Sequence, residues 1–222
     1  SDDRIKAMLA RADRLYGEGK NAEAAKEYQA VLKDAPSSWQ SRARVTESLL
    51  FALQSSEQAA VCATTASGVY PRFRNTASAA NIAAVGLDCA VSLPEENAER
   101  ASLIASLEKA AEEVLANPKV KVAADDRSGI FISLISAREA AKDEAGKLRA
   151  VERWDAFLEA EAAKAKTPDQ RAVFDSHRLT AYLELESPER AVPMLDQSER
   201  DLPGDYNPPA RLAVAYNAMK KY

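Results

Sequence analysis

Histidine occurs once in the 222 residues, cysteine twice and glycine seven times. A single histidine leaves no material for a multi-histidine metal site, and any Ser–His or Cys–His pair would have to use His177. That residue sits in "VFDSHRLTAY", near a helix start among polar neighbours, and reads as a surface or capping histidine. The two cysteines are not spaced C-x-x-C, which argues against zinc and thiol-redox motifs. The glycines form no phosphate-binding loop, since "GEG" at 17–19 is not followed by one, and neither G-x-S-x-G nor H-E-x-x-H occurs. The expectation is a protein that is not an enzyme and has no cofactor and no metal. Long apolar runs are also missing. The nearest, "ASAANIAAVGLDCAVSL", is interrupted by Asn81 and Asp88, so no membrane span is expected. The net charge is −4 with both signs interspersed, and without a basic stripe nucleic acid is not an expected partner. No N-x-[ST] acceptor occurs. Ser1-Asp2-Asp3 reads as the start of a trimmed chain or of a mature exported protein. With the two cysteines this tilts the expectation towards an exported or periplasmic place, a cytoplasmic one staying open.

What the chain does contain is helix-forming sequence. Aromatics are only 6 % and alanine supplies much of the apolar content, a balance that favours closely packed helices. Apolar residues recur at helical spacing, with turn signals between them. The pattern predicts about eleven helices, at 3–17, 21–34, 38–54, 56–69, 77–92, 95–116, 124–142, 145–165, 168–185, 188–201 and 207–221. Starts are marked by Ser37-Ser38, Ser55-Ser56, Thr76, Asp125, Thr167-Pro168 and Ser187-Pro188. Stops are expected at Pro36, Pro71, Pro118 and Pro203. "VKVAA" is the one strand-like stretch, and it is short. Connections this brief make successive helices antiparallel hairpins. A row of hairpins buries its apolar stripes by stacking, which predicts an all-α solenoid forming a single domain over 1–222.

The stretch "AMLARADRLYGEGKNAEAAKEYQAVLKDAP" resembles one tetratricopeptide repeat, a 34-residue helix–turn–helix unit. Ala12 and Ala24 stand at its small positions, Gly19 ends the first helix, Tyr28 fills the gap between helices and Pro36 closes the unit. Asn21 and Leu15 stand where aromatics are usual. "LTAYLELESPERAVPMLDQSERDLP" is similar, through Tyr182, Ala191 and Pro203. Tyr216 follows Tyr182 by 34 residues, and Ala213 follows Leu179 by the same interval. The middle, 37–166, keeps the hairpin pattern without the 34-residue register and reads as degenerate, longer hairpins. The last helix resembles the first half of a further repeat. It is either a cap or part of a chain that continues, and Leu212, Ala213, Val214, Tyr216 and Met219 favour continuation. The resemblance implies a tetratricopeptide-like αα-superhelix.

Several residues admit more than one reading. Cys62 and Cys89 flank the "YPRFRNT" turn and are bridged across a hairpin, buried as small apolar thiols, or placed in a redox or catalytic role that no C-x-x-C spacing supports. Asp125-Asp126 and Glu95-Glu96 fall at expected helix N-termini, where negative charge favours the helix dipole. Adjacent residues point to different faces, so neither pair is preorganised for acid–base work. Trp39, Trp154, Phe157, Phe131, Tyr70 and Phe73 read as inter-helix packing. "VYPRFRNT" is either a recognition loop or a long turn folded back on its hairpin.

The resemblance further implies a concave groove lined by the first helix of each unit. Its positions would be Lys6, Leu9, Asp13 and Tyr16 in the first unit and Ser176, Thr180, Leu183 and Glu184 in the later one. In the last they would be Asn207, Ala210, Val214 and Asn217. The family's carboxylate clamp is absent, because Leu9 and Asp13 replace it. The implied function is a non-enzymatic scaffold or adaptor holding a peptide or protein partner. The alternative is a helical segment of a larger bacterial enzyme, such as one with a thioredoxin-like domain. The oligomeric state is open.

Overall fold

A computed structural model describes residues 2–220, and among them there is no β-strand. The chain is all-α. Its helices are α1 (Asp2–Gly17), α2 (Asn21–Asp34), α3 (Arg42–Ser55), α4 (Ala59–Phe73), α5 (Ala79–Val91), α6 (Arg100–Ala116), α7 (Ala124–Ala140), α8 (Glu144–Lys164), α9 (Pro168–Ala172), α10 (Asp175–Glu184), α11 (Ala191–Asp201) and α12 (Asn207–Met219). A 3-10 turn, Pro188–Arg190, leads into α11. The expected end of the last helix at 221 lies outside the described residues. The chain divides into two compact units, Ser1–Ala140 and Ala141–Tyr222, and the division falls within the stretch that reads as degenerate hairpins.

In the first unit each helix packs on the next, α5 also packs on both α3 and α7, and α4 packs on α6. This makes two layers of alternate helices. Within the outer pair, Ser67 meets Ser106 at 2.8 Å and Tyr70 donates to Glu113 at 3.3 Å, so α4 and α6 run parallel. The middle of the unit is α5. Every residue from Ile82 to Leu87 is buried, and the helix fits because most of its side chains are methyl-sized. Gly86 is the tightest point. A Cβ there would meet Leu107 at 2.9 Å and Ala66 closer still. Cys62 on α4 and Cys89 on α5 are joined as a disulfide, with their Cα atoms 6.0 Å apart, which decides among the readings of the pair.

Three arginines finish the ends of the helices before them. Arg42 donates to the carbonyls of Leu32 (2.6 Å) and Ala35 (3.3 Å). Arg100 donates to Leu93 (2.9 Å) and Val91 (3.1 Å). Arg127 donates to Val114 (2.7 Å), Asn117 (2.9 Å) and Val120 (2.9 Å). The last turn of a helix has four carbonyls without partners, and a guanidinium carries enough donors to serve several of them. These contacts explain why α3 and α6 begin later than the sequence pattern indicates. Their first residues, Arg42 and Arg100, are committed to the preceding helix, and short turns at Pro36–Trp39 and Pro94–Asn97 fill the gap. Glu95 and Glu96 therefore lie ahead of α6 and do not cap it. The starts of α4 and α5 are likewise displaced, to Gln58 and Ser78, from Ser55-Ser56 and Thr76.

Pro71 does not stop α4, which runs on to Phe73. The last turn keeps Tyr70 and Phe73 buried in the unit's core, and this apolar burial outweighs the hydrogen bond lost at the proline. "VYPRFRNT" is accordingly a helix end folded inward, not a free loop.

In the second unit α8 packs on α9 and α10, and α10 packs on α11 and α12. Lys147 meets Glu184 at 3.2 Å and Arg178 meets Glu159 at 2.9 Å, a descending order that makes α8 and α10 antiparallel. The helix expected over 168–185 is broken after Ala172. The break turns Phe174 inward and buries the Asp175 carboxylate, which accepts from Ser198 Oγ at 2.5 Å. Thr167 caps α9 through Gln170 N at 3.3 Å. Three hairpin turns, after α1, α3 and α10, share one geometry. A residue with φ between +55° and +75° (Gly19, Glu57, Glu186) is followed by an N–H that reaches back over the helix end, as Lys20 N does to Leu15 O at 2.9 Å.

Replacing both cysteines by alanine, or reducing the bridge, is expected to lower unfolding free energy. For a sequence separation of 27 residues the loss is about 3–4 kcal/mol, read by denaturant titration. Gly86→Ala overpacks α5 and is expected to cost about 1–3 kcal/mol in the same titration, while the far-UV spectrum stays helical.

Candidate functional site

The central helix α5 is buried along most of its length, and Asn81 and Asp88, two turns apart, are its half-buried polar residues. Each reaches both neighbours in its layer. Asn81 Nδ2 donates to Glu47 of α3 at 2.6 Å and to Asp126 of α7 at 3.2 Å. Asp88 faces Ser133 of α7 and Gln54 of α3, whose polar side chains act to lower its carboxyl pKa. The result is a ladder of two rungs, Glu47–Asn81–Asp126 and Gln54–Asp88–Ser133. Every member of the second rung lies seven positions beyond its counterpart (47 to 54, 81 to 88, 126 to 133). Equal steps in the same sense require the three helices to run parallel and in phase. The α3-to-α5 offset is 34 residues in both rungs (47 to 81, 54 to 88). Within the segment that shows no such period to inspection, that interval returns as a contact.

The charge on this face is unbalanced. Burial pushes the Asp88 carboxyl above the usual carboxylate range, against the polar side chains of Ser133 and Gln54. Burial likewise raises Asp126, with Asp125 and Glu47 adding repulsion. Around the second rung lies a cavity of about 380 Å³ lined by Gln54, Glu57, Ala59, Asp88, Cys89 and Ser92. One wall is thus the bridged cysteine. Nothing here makes a nucleophile–base pair. Among the described residues no group of three or more His, Cys, Asp or Glu side chains is placed to hold a metal ion, and no helix is long and apolar enough to cross a membrane.

The positions implied by the repeat resemblance fall as follows. On α1, Lys6, Asp13 and Tyr16 are exposed and Leu9 is half-buried against the core. Asp13 accepts from Tyr28 OH at 2.8 Å, and burial is the main cause that raises the Tyr28 hydroxyl pKa. Lys6 pairs with Asp2 at 3.0 Å. Ala12, Ala24 and Tyr28 are buried at the α1–α2 crossing. In the second unit, Thr180 is exposed and donates to Ser176 O at 3.0 Å, and Leu183 packs on the α10–α12 core. Glu184 lines a cavity of about 440 Å³ with Glu144, Lys147, Leu148, Val151, Leu185 and Glu186. On α12, Val214 and Asn217 are exposed, whereas Asn207 donates to Asp205 at 2.7 Å and closes the turn before the helix. Tyr182 is buried, yet Tyr216, 34 residues on, is 47 % exposed, so the outer side of α12 carries apolar groups without cover.

The other singled-out residues are structural. His177 stacks at a tilt on buried Trp154, ring centres 5.7 Å apart, so it is a packing residue and not a surface one. Beside it Glu159 accepts from Arg178 and from Tyr182 OH, while Arg190 sits 4.2 Å over the Tyr182 ring and pairs with Asp155 at 3.0 Å. Burial, with the Glu159 contact, pushes the Tyr182 hydroxyl up to about 12. Sequence reasoning did not single out Glu47, Gln54 or Ser133, and read Asn81 and Asp88 only as interruptions of an apolar run. The signal that finds them is the pair of polar interruptions in the alanine-rich α5, set seven residues apart.

No family model matches the chain, and neither the curated proteins nor the solved structures contain a match.

The Asp88 carboxyl has a raised folded-state pKa, so its ionisation opposes folding, and its contribution to stability declines as pH rises through the folded value. Asp88→Asn is therefore expected to be at least as stable as the wild type at pH 7. The difference should shrink as pH falls and the wild-type carboxyl protonates. Denaturant midpoints of both proteins between pH 3 and 8 check this, and a variant advantage that grows towards low pH refutes it.

Proposed function

We propose that this chain is a non-enzymatic scaffold that holds a peptide or protein segment on the face formed by alternate helices, as tetratricopeptide arrays do. The two-rung ladder across α3, α5 and α7 is the observation that supports it. Three parallel helices carry side-chain amides and carboxylates in step along a common face. A layer serving only as core would carry apolar groups there. Such a face presents alternating donors and acceptors, which is what an extended polypeptide needs. Lys6 and Tyr16 on α1 are further exposed positions of the same unit. The Thr180 and Val214 positions offer a comparable mixture on the second unit. The buried disulfide suits an oxidising compartment.

The full chain, immobilised, should recover one protein in stoichiometric amount from extracts of the source cells. Recovery should fall by on the order of tenfold in the double variant Tyr16→Ala, Asn81→Ala, with its helical spectrum kept. Equal recovery by the variant, or no stoichiometric partner at all, rejects the scaffold reading.

A further inference from the structure

Among the described residues of the second unit, one buried side-chain atom is left without a hydrogen-bond partner, Asp175 Oδ1. Asp175 is the first residue of α10 and is 1 % exposed. Its Oδ2 is bonded to Ser198 Oγ of α11 at 2.5 Å. Three arginines lie close enough to act on the carboxyl through their charge, yet none donates to it. Arg178, on α10 itself, is held by Glu159 of α8 at 2.9 Å, and Arg171 of α9 by Asp201 of α11 at 2.6 Å. The third, Arg211, comes from α12 and is half-buried.

An anionic oxygen sealed from water and lacking a donor is far more unfavourable than a neutral carbonyl oxygen in the same place. The geometry accommodates the neutral acid. With the proton on Oδ2, that atom donates to Ser198 Oγ at the short end of the range for an O–H donor, and only the carbonyl-like Oδ1 stays unmet. Burial accordingly pushes the carboxyl above its usual range, against Ser198 and the three arginines. The other charged or titratable groups around α10 are engaged elsewhere. Glu159 is shared by Arg178 and by Arg190 of the 3-10 turn, and His177 stacks on the Trp154 ring of α8.

What the Asp175–Ser198 contact fastens is a weakly anchored stretch. The α9 helix has five residues, and none of them is buried. Val173, in the break after it, is 65 % exposed, while Phe174 beside it is buried. Short segments with so little apolar burial open at small free-energy cost. We infer that Asp175 is an acid-closed latch. Neutral, it fastens the α9–α10 break to α11. Ionised, it requires water or a guanidinium at Oδ1, and neither reaches that atom until α9 and the first turn of α10 lift. In the open form the carboxyl is solvated and titrates in the usual range, at about 4. The closed form therefore binds more protons between that range and its own higher value. Closure is firmest below the usual range, weakens as pH rises across the interval, and is level above it.

Two measurements on the full chain test the latch. Carbon-13 NMR follows the Asp175 carboxyl directly, and its titration midpoint should lie above the usual aspartate range. Hydrogen exchange read by mass spectrometry, corrected for the intrinsic pH dependence of exchange, follows residues 168–178. Their protection should fall severalfold between pH 4 and pH 7 in the wild type and stay level in Asp175→Asn, which keeps a neutral group of the same shape. Glu159, where burial is outweighed by Arg178, and Asp201, bonded to Arg171, are held low and stay charged over this interval. His177 is present in both proteins, so the difference between them belongs to Asp175. A midpoint in the usual range, an equal fall of protection in both proteins, or a fall that spares 168–178 each overturns the inference. If the variant does not fold, the wild-type midpoint alone decides.

Discussion

The close approach of α5 to its neighbours is the constraint from which the first unit follows. Gly86 lies against Ala66 and Leu107 with no room for a methyl group, and the rest of the helix is largely alanine. Backbones this near gain dispersion contacts over their whole length and bring their side chains within mutual reach. Asn81 touches α3 and α7 with one amide group, while Gly86 sets the approach to α4 and α6. Only there can Cys89 meet Cys62 on α4. A helix of leucines at the same place would push the layers apart and dissolve both the ladder and the bridge.

That tightness also decides how polar groups are treated. Around Glu159 in the second unit, charges are satisfied in a closed network. Glu159 is shared by Arg178, Tyr182 and Arg190, and burial, which raises its pKa, is outweighed by these contacts so that it stays low. In the first unit, the ladder carboxylates are raised instead. Desolvation wins at Asp88 and Asp126, and also at Asp175 in the second unit despite Arg178, Arg211 and Arg171, whereas at Glu159 the direct contacts win. The closed network reads as a joint between α8 and α10. In the open one, amide and hydroxyl groups are the partners that face the carboxylates.

Much of the fold was legible in the primary structure, for identifiable reasons. Apolar periodicity located nearly every helix, and Gly19 marked the end of α1 because a left-handed residue is needed there. The same turn after α3 and α10 uses Glu57 and Glu186, which carry no such signature, so those ends were less visible. Helix starts at 42 and 100 were misplaced because Arg42 and Arg100 serve carbonyls of the preceding helix, a contact made in space. Pro71 misled because burial of Tyr70 and Phe73 outweighed a local rule. The ladder was hidden most deeply. Asn81 and Asp88 were noticed as breaks in an apolar run, but their partners lie 34 and 45 positions away (47 to 81, 81 to 126), and only packing reveals that they meet.

The arginine caps carry a consequence for how such a chain forms. Each of Arg42, Arg100 and Arg127 belongs to one helix and completes another. A helix ending in α2, α5 or α6 therefore stays frayed until the next has begun to wind. Neighbouring segments are linked like courses of overlapping tiles, where each holds down the edge of the one before. Loss of a single guanidinium therefore leaves carbonyls at the end of the preceding helix without their side-chain donor.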